Sequence, residues 1–253
     1  MPLYGFGAGA LWGTPLTDAN GAAIANPTPV LFGVLQEVSV DISGDIKELH
    51  GQNQFAEAVA RGKTKISCKA KFGRINGLML NSLFFGQTVS SGILADVYDT
   101  VGQAIPATPF TITIAPPSSG TWTRDLGVRD ANGNPMTRVA SGPATGQYSV
   151  AAGVYTFAAA DTGLTVFISY QYTATSTVAK KSTVMNLAMG AAPSFRTDLS
   201  DGFQGGQTAL SLYKCISTKL SFATKLDDFL IPEMDFSAFA DSSGKVLDWG
   251  TSE

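Results

Sequence analysis

From Thr64 to Phe72 the sequence alternates strictly. Ile66, Cys68, Ala70 and Phe72 share one parity, and Lys65, Lys69 and Lys71, with Lys63 just before them, share the other. Successive side chains of a β-strand point to opposite faces, whereas a helix would scatter these lysines around its circumference. The segment predicts a half-buried strand with a basic outer face, and the chain that contains it must build a sheet with one dry side. Gln36 to Ile42 repeats the pattern with opposite charge, placing Val38, Val40 and Ile42 on one face and Glu37, Ser39 and Asp41 on the other. As antiparallel neighbours the two strands set an acidic face beside a basic one. For the lysines of such a face the expectation is a solvated, internally paired surface.

Ser43 to Gly62 lie between these strands, twenty residues that include Lys47, Glu48, Glu57 and Arg61. Loops of that length inside compact domains are uncommon, and the segment reads as a loop that contacts a partner. Beyond it Gly73 marks a break, and Ile75, Leu78, Met79, Ser82 and Leu83 recur at helical spacing up to Gly86, a C-cap glycine. Residues 1–30 hold a single charged residue, Asp18, and no sustained period, which reads as an extended arm.

Residues 96–176 change character. Pro106, Pro109, Pro116 and Pro117 precede short apolar runs at Thr111–Ile114, Gly146–Val150, Val154–Phe157 and Leu164–Tyr172, separated by Gly, Asn and Asp turns. This predicts a small all-β insertion. The chain returns with Val184–Met189, Ala209–Phe222 and Leu226–Asp241. The outer domain is then discontinuous, 1–95 with 177–253, around an inserted 96–176.

Chemistry-bearing patterns are scarce. A net charge of −3 argues against a protein that grips nucleic acid, since gripping requires an excess of Lys and Arg. One histidine, His50, precludes a histidine-rich metal site, and its place in the long loop suits solvent better than proton transfer. Cys68 and Cys215 fall on apolar strand faces and read as small buried hydrophobes; with no secretory leader ahead of them, a reducing compartment is expected. Gly5-Phe6-Gly7-Ala8-Gly9 follows no strand and lacks a phosphate-binding lysine. Asp227 and Asp228 are adjacent, and on a strand they would face apart. Trp12, Trp122 and Trp249 are scattered packing residues. No apolar run approaches the roughly 20 residues that span a bilayer, so no membrane insertion is expected. At 26.4 kDa the chain should expose roughly 10,600 Å² when folded as one globule.

The block GQNQFAEAVARGKTKISCKAKFGRINGLMLNSLFFG, Gly51 to Gly86, resembles the loop, strand and helix of the major tail tube proteins of tailed bacteriophages. FATKLDDFLIPEMDFSAFADSSGKV, Phe222 to Val246, is similar to their closing strands and arm, and Gly33 to Asp45 fits the same order. GQYSVAAGVYTFAAADTGLTVFISYQY, from Gly146, resembles small β modules that recur in phage structural proteins. The resemblance implies a mainly β fold, a tail-tube-like antiparallel β-sandwich with a flanking helix, a long hairpin loop and an inserted small β domain. It further implies six copies closing into a ring and rings stacking into the tube of a virion tail, assembled in the bacterial host cytoplasm. Partners would be further copies of the chain, the tape measure, terminator and baseplate proteins and a sheath, with duplex DNA passing without tight binding.

Under this resemblance the inter-ring contact is assigned to Asp45, Lys47, Glu48, His50, Phe55, Glu57 and Arg61. The paired strand faces are Glu37 and Asp41 against Lys63, Lys65, Lys69 and Lys71, turned away from an acidic or neutral bore. No cofactor, metal or catalytic residue is expected. The alternative is another virion surface component, a capsid decoration, baseplate or receptor-binding adhesin. Polymerisation distinguishes the two.

Overall fold

A computed structural model describes Gly5, residues 7–74 and residues 76–252. The fold is mainly β, with 52% of residues in strands, 6% helical, and antiparallel sheets. The chain divides into two compact units, one running to Thr88 and resuming at Ser182, the other Val89–Lys181.

The first unit opens with β1 (Ala10–Pro15), β2 (Val30–Leu31), β3 (Leu35–His50) and β4 (Ala56–Phe72), followed by a helical turn α1 (Gly77–Leu80) that widens into a π-turn over Asn81–Phe85. The second carries β5 (Val89–Ser91), β6 (Ile93–Val97), β7 (Gln103–Ala104), β8 (Thr111–Thr113), β9 (Thr121–Asp130), β10 (Thr137–Arg138), β11 (Gln147–Ala151), β12 (Val154–Phe157), β13 (Thr165–Ala174) and β14 (Lys180–Ser182). The first then resumes with β15 (Phe195–Phe203), β16 (Gly206–Ser221), β17 (Glu233–Ala238) and β18 (Leu247–Thr251). The second unit begins at Val89, ahead of residue 96, because β6 pairs with β13 and β5 with β14.

All eight strands of the first unit form one sheet, in the order β2-β1-β15-β16-β17-β4-β3, with β18 also on β16. Its spine is β16. Cys215 pairs with Phe195 of β15 on one side and Ala238 of β17 on the other, and β18 takes the β17 side further along, at Thr208–Leu212. The sheet rolls around its own core. Phe32, just past β2 at one edge, sets its ring 5.9 Å from that of Phe72 near the other, edge to face, and Gly73 N–H donates to the Val34 carbonyl at 2.6 Å. A single rolled sheet thus stands where two packed sheets were expected.

The helical turn covers this core with Met79, Leu80 and Leu83. Asn76 caps it, its Oδ1 accepting from the N–H groups of Leu78 and Met79. Gly86 closes it at φ 60 with its N–H on the Asn81 carbonyl, as the sequence predicts. A Cβ on Gly86 would sit 2.6 Å from the Ala19 backbone nitrogen, so only glycine fits. Ile75, the first residue of the predicted helical period, lies outside the described residues.

Three expectations change. Residues 10–15 of the predicted arm are a strand between β2 and β15. Their inward positions are Leu11, Gly13 and Pro15, an alternation that small and cyclic residues conceal. Val184–Met189 has no regular structure, while the β15 strand, which the sequence does not announce, follows it. Asp227 lies in a turn rather than a strand, and its neighbour Asp228 forms an ion pair with Lys225 at 3.8 Å.

In the second unit the sheet β10-β11-β12-β8 and the sheet of β6, β13, β7 and β9 share one core. Ile112, Tyr148, Tyr155 and Phe157 enter it from the first sheet, and Val128, Val166, Ile168 and Tyr170 from the second. The strands predicted around Thr111, Gln147, Val154 and Thr165 are present; β9, whose outward residues are strongly polar, escapes the sequence pattern.

Candidate assembly interface

The segment Ser43–Gly62 is not a loop. Pairing of β3 with β4 continues through Lys47↔Ala60 and Glu48↔Val59 to His50↔Ala56, leaving only Gly51–Phe55 as the turn. Alternation fades here because neither face of the ribbon is covered, so neither must be apolar. The last β4 residue beside β17 is Ile66. Beyond it the ribbon runs as two strands alone for about 27 Å, roughly eight residues at about 3.4 Å each.

At Asp45 the register slips, from Gly44↔Thr64 to Ile46↔Arg61, so that Asp45 faces both Gly62 and Lys63. Such a bulge bends and twists a ribbon. Past it, Leu49, Ala58 and Ala60 share one face with Lys47, whereas Ile46 and Val59 share the other with Glu48, Glu57 and Arg61. Phe55 at the tip is 85% exposed, and Ile46, Leu49 and Val59 are each more than 60% exposed. His50 Nε2 lies 3.1 Å from Glu48 Oε2. Asp45, Lys47, Glu57 and Arg61 are all exposed, and among the described residues they form no ion pair, so these charges face solvent.

Nearer the body, the outer face of the sheet is a set of charged columns. Glu37 stands opposite Lys71, with Nζ 2.5 Å from Oε2. Lys69 stands between Ser39 on β3 and Asp235 on β17; its ammonium turns instead to Glu233, at 2.9 Å. Lys219 of β16 approaches the same Glu233 oxygen at 3.3 Å and Asp235 at 4.0 Å. The hydrogen bond from Lys69, opposed by partial desolvation and reinforced by Lys219, holds the Glu233 carboxyl below its usual range. The same bond raises Lys69. Exposed pairs of this kind contribute about 0.2–1 kcal/mol each, so their effect is on surface charge more than on stability.

Lys69 and Lys71 are therefore internally paired, as the strand pattern predicts, while Asp41, Lys63 and Lys65 form no ion pair among the described residues. Glu233, Asp235 and Lys219 complete the face, three members that the sequence reading misses. The alternation of Glu233-Met234-Asp235-Phe236 carries the signal for the first two.

Among the described residues, two edges of this region carry no strand partner: β3 has β4 on one side only, and residues 216–221 of β16 lie beyond the end of β15. The chain exposes 15776 Å². One compact globule of this mass would expose roughly 10,600 Å², and two separate globules of the sizes of these units roughly 12,700 Å². The excess reflects extended segments such as the β3–β4 ribbon.

The thiols of Cys68 and Cys215 are buried, and burial pushes each up to about 12, so neither is a nucleophile at neutral pH. Among the described residues no group of three or more His, Cys, Asp or Glu could hold a metal ion, and no helix is long and apolar enough to cross a membrane. No protein-family model matches the sequence, and no curated protein matches it.

Proposed function

We propose that the chain is a structural subunit that assembles with copies of itself into six-membered rings, which stack into a tube like those of the phage tail proteins it resembles. The observation that carries this reading is the block β16-β17-β4-β3, in which, among the described residues, β3 has no strand on its far side and residues 216–221 of β16 extend beyond β15. Free strand edges pair readily with another chain. Here the two edges differ in charge, Glu37 and Asp41 on β3 and Lys219 on β16. Setting β3 of one copy beside residues 216–221 of the next continues the alternation of acidic and basic columns. The contact joins two different surfaces, and a heterologous contact closes into a ring when its rotation permits.

The ribbon supports the second contact, between rings. A two-stranded hairpin is at best marginal in water by itself, and this one projects with Ile46, Leu49, Phe55 and Val59 exposed. A neighbouring copy that covers it removes both liabilities. Residues 89–181 form a separable module carried by the tube-forming unit. In this reading the chain belongs to a virion tail, where other tail proteins cap the tube and duplex DNA passes through it.

Native mass measurement of the purified chain tests the reading. Hexamers and multiples of six are expected. Monomer alone at every concentration, also with other tail proteins present, overturns it.

A further inference from the structure

In the second unit, the sheet of β6, β13, β7 and β9 carries aromatic rings on its outer side. Val166 and Ile168 of β13 point into the core, so Phe167 between them points out, opposite Arg129 of β9. Tyr98 follows β6 directly. With Thr100 and the turn after β9, these residues line an open cleft of about 410 Å³ that lies wholly within this unit. Small-ligand sites have volumes of this order.

Hydrogen bonds fix the walls of the cleft. The Arg129 guanidinium lies 4.4 Å from the centre of the Tyr98 ring and 5.7 Å from that of Phe167. Its Nη1 donates to the Tyr98 hydroxyl at 2.6 Å and its Nη2 to the Asp99 carbonyl at 3.0 Å, which leaves Nε–H and one N–H on each Nη with no acceptor among the described residues. Asp99 pins its turn to β13, with Oδ1 accepting from the Val101 and Gly102 N–H groups and Oδ2 from that of Ile168. Asp130 Oδ1 accepts from the N–H groups of Asn132 and Asn134, while Oδ2 accepts from the Asn134 side chain at 3.2 Å and keeps acceptor capacity.

We propose that this cleft binds a neutral pyranose sugar. A sugar hydroxyl both donates and accepts, and the free N–H groups of Arg129 beside the remaining lone pair of Asp130 offer it one partner of each kind. The apolar C–H face of the sugar ring packs on Tyr98, which stays 67% exposed with the guanidinium against it, and on Phe167. Asp99 and Asp130 set two carboxylates around one guanidinium. The cleft is therefore net negative and repels uronic acids and other anions. Nothing in this depends on the assembly reading above.

Saturation-transfer NMR on the full chain tests the proposal, with maltohexaose, mannohexaose and galactohexaose as neutral probes and hexagalacturonate as the acidic one. The wild type should transfer saturation to at least one neutral probe, most strongly to its ring C–H protons, and not to hexagalacturonate. Tyr98→Ala alters an exposed side chain and should stay folded; it should bind about tenfold more weakly, as expected for one lost aromatic contact. Arg129→Gln should weaken binding as well. Transfer that persists with glucose, mannose or galactose alone assigns the cleft to free sugars, and transfer only to the hexamers assigns it to a polysaccharide. No transfer to any neutral probe, transfer to hexagalacturonate as strong as to the neutral probes, or undiminished affinity in folded Tyr98→Ala overturns the inference. Polymerisation has no bearing on these outcomes, so the two readings fail separately.

Discussion

The hydroxyl of Tyr148 donates a 2.8 Å hydrogen bond to the carboxylate of Asp125 across the core of the second unit, from one sheet to the other. Tyr155 donates to the other oxygen at 3.0 Å, and Gly127 N–H to that same oxygen at 3.1 Å. Asp125 is 4% exposed at its side chain, so removing it takes the acceptor from two buried hydroxyls, of which, among the described residues, only that of Tyr155 keeps another side-chain partner, the Trp122 indole N–H at 3.4 Å. Asp125→Ala should destabilise this unit by about 2–4 kcal/mol. Tyr148→Phe, which leaves the carboxylate its other partners, should cost about 1 kcal/mol. Denaturant unfolding followed by tyrosine fluorescence checks both, and an unchanged midpoint for Asp125→Ala contradicts the bridge.

Cys68 and Cys215 make the molecule sensitive to alkali. Their folded values, about 12, stand above the ordinary 9.0. A group raised by folding contributes fully below its unfolded value and loses that contribution as pH rises toward its folded one. Burial also raises Tyr148 and Tyr155, aided in each by Asp125. Stability should therefore be level below about pH 9 and fall steeply between about 9 and 12, by up to about 4 kcal/mol per thiol. Urea midpoints across that range measure it; in parallel, a thiol reagent at about pH 8 should leave the native chain unmodified.

At the ribbon, folding and assembly should separate. Phe55→Ser with Leu49→Ser and Val59→Ser alters only exposed positions, so the unfolding free energy should stay within about 0.5 kcal/mol per site. Sedimentation should nevertheless show rings that no longer stack. Tubes of normal length from this variant would remove the ribbon from the inter-ring contact.

Strand faces are legible in the sequence where one side is dry. Ile66, Cys68, Ala70 and Phe72 alternate because the core requires it, and the Glu37–Lys71 pair follows from two such strands meeting. Legibility fails where that requirement is absent. In Ser43–Gly62 both faces are wet, so a paired ribbon reads as a loop. In β1 the inward positions include Gly13, where a Cβ would lie 2.4 Å from Leu83 Cδ1; close packing there selects a residue that carries no apolar signal. Lys69 shows a further limit: its partner is Glu233, far along the chain, and their adjacency depends on sheet order.

Electron microscopy of the concentrated, negatively stained chain tests the central claim most directly, with the charge-reversed Lys219→Glu as its control. The wild type should form rings that stack into hollow tubes, Lys219→Glu should remain largely unassembled, and Lys219→Glu combined with Glu37→Lys should regain rings. Single subunits in the wild-type fields at every concentration, or tubes formed equally well by Lys219→Glu, would contradict it.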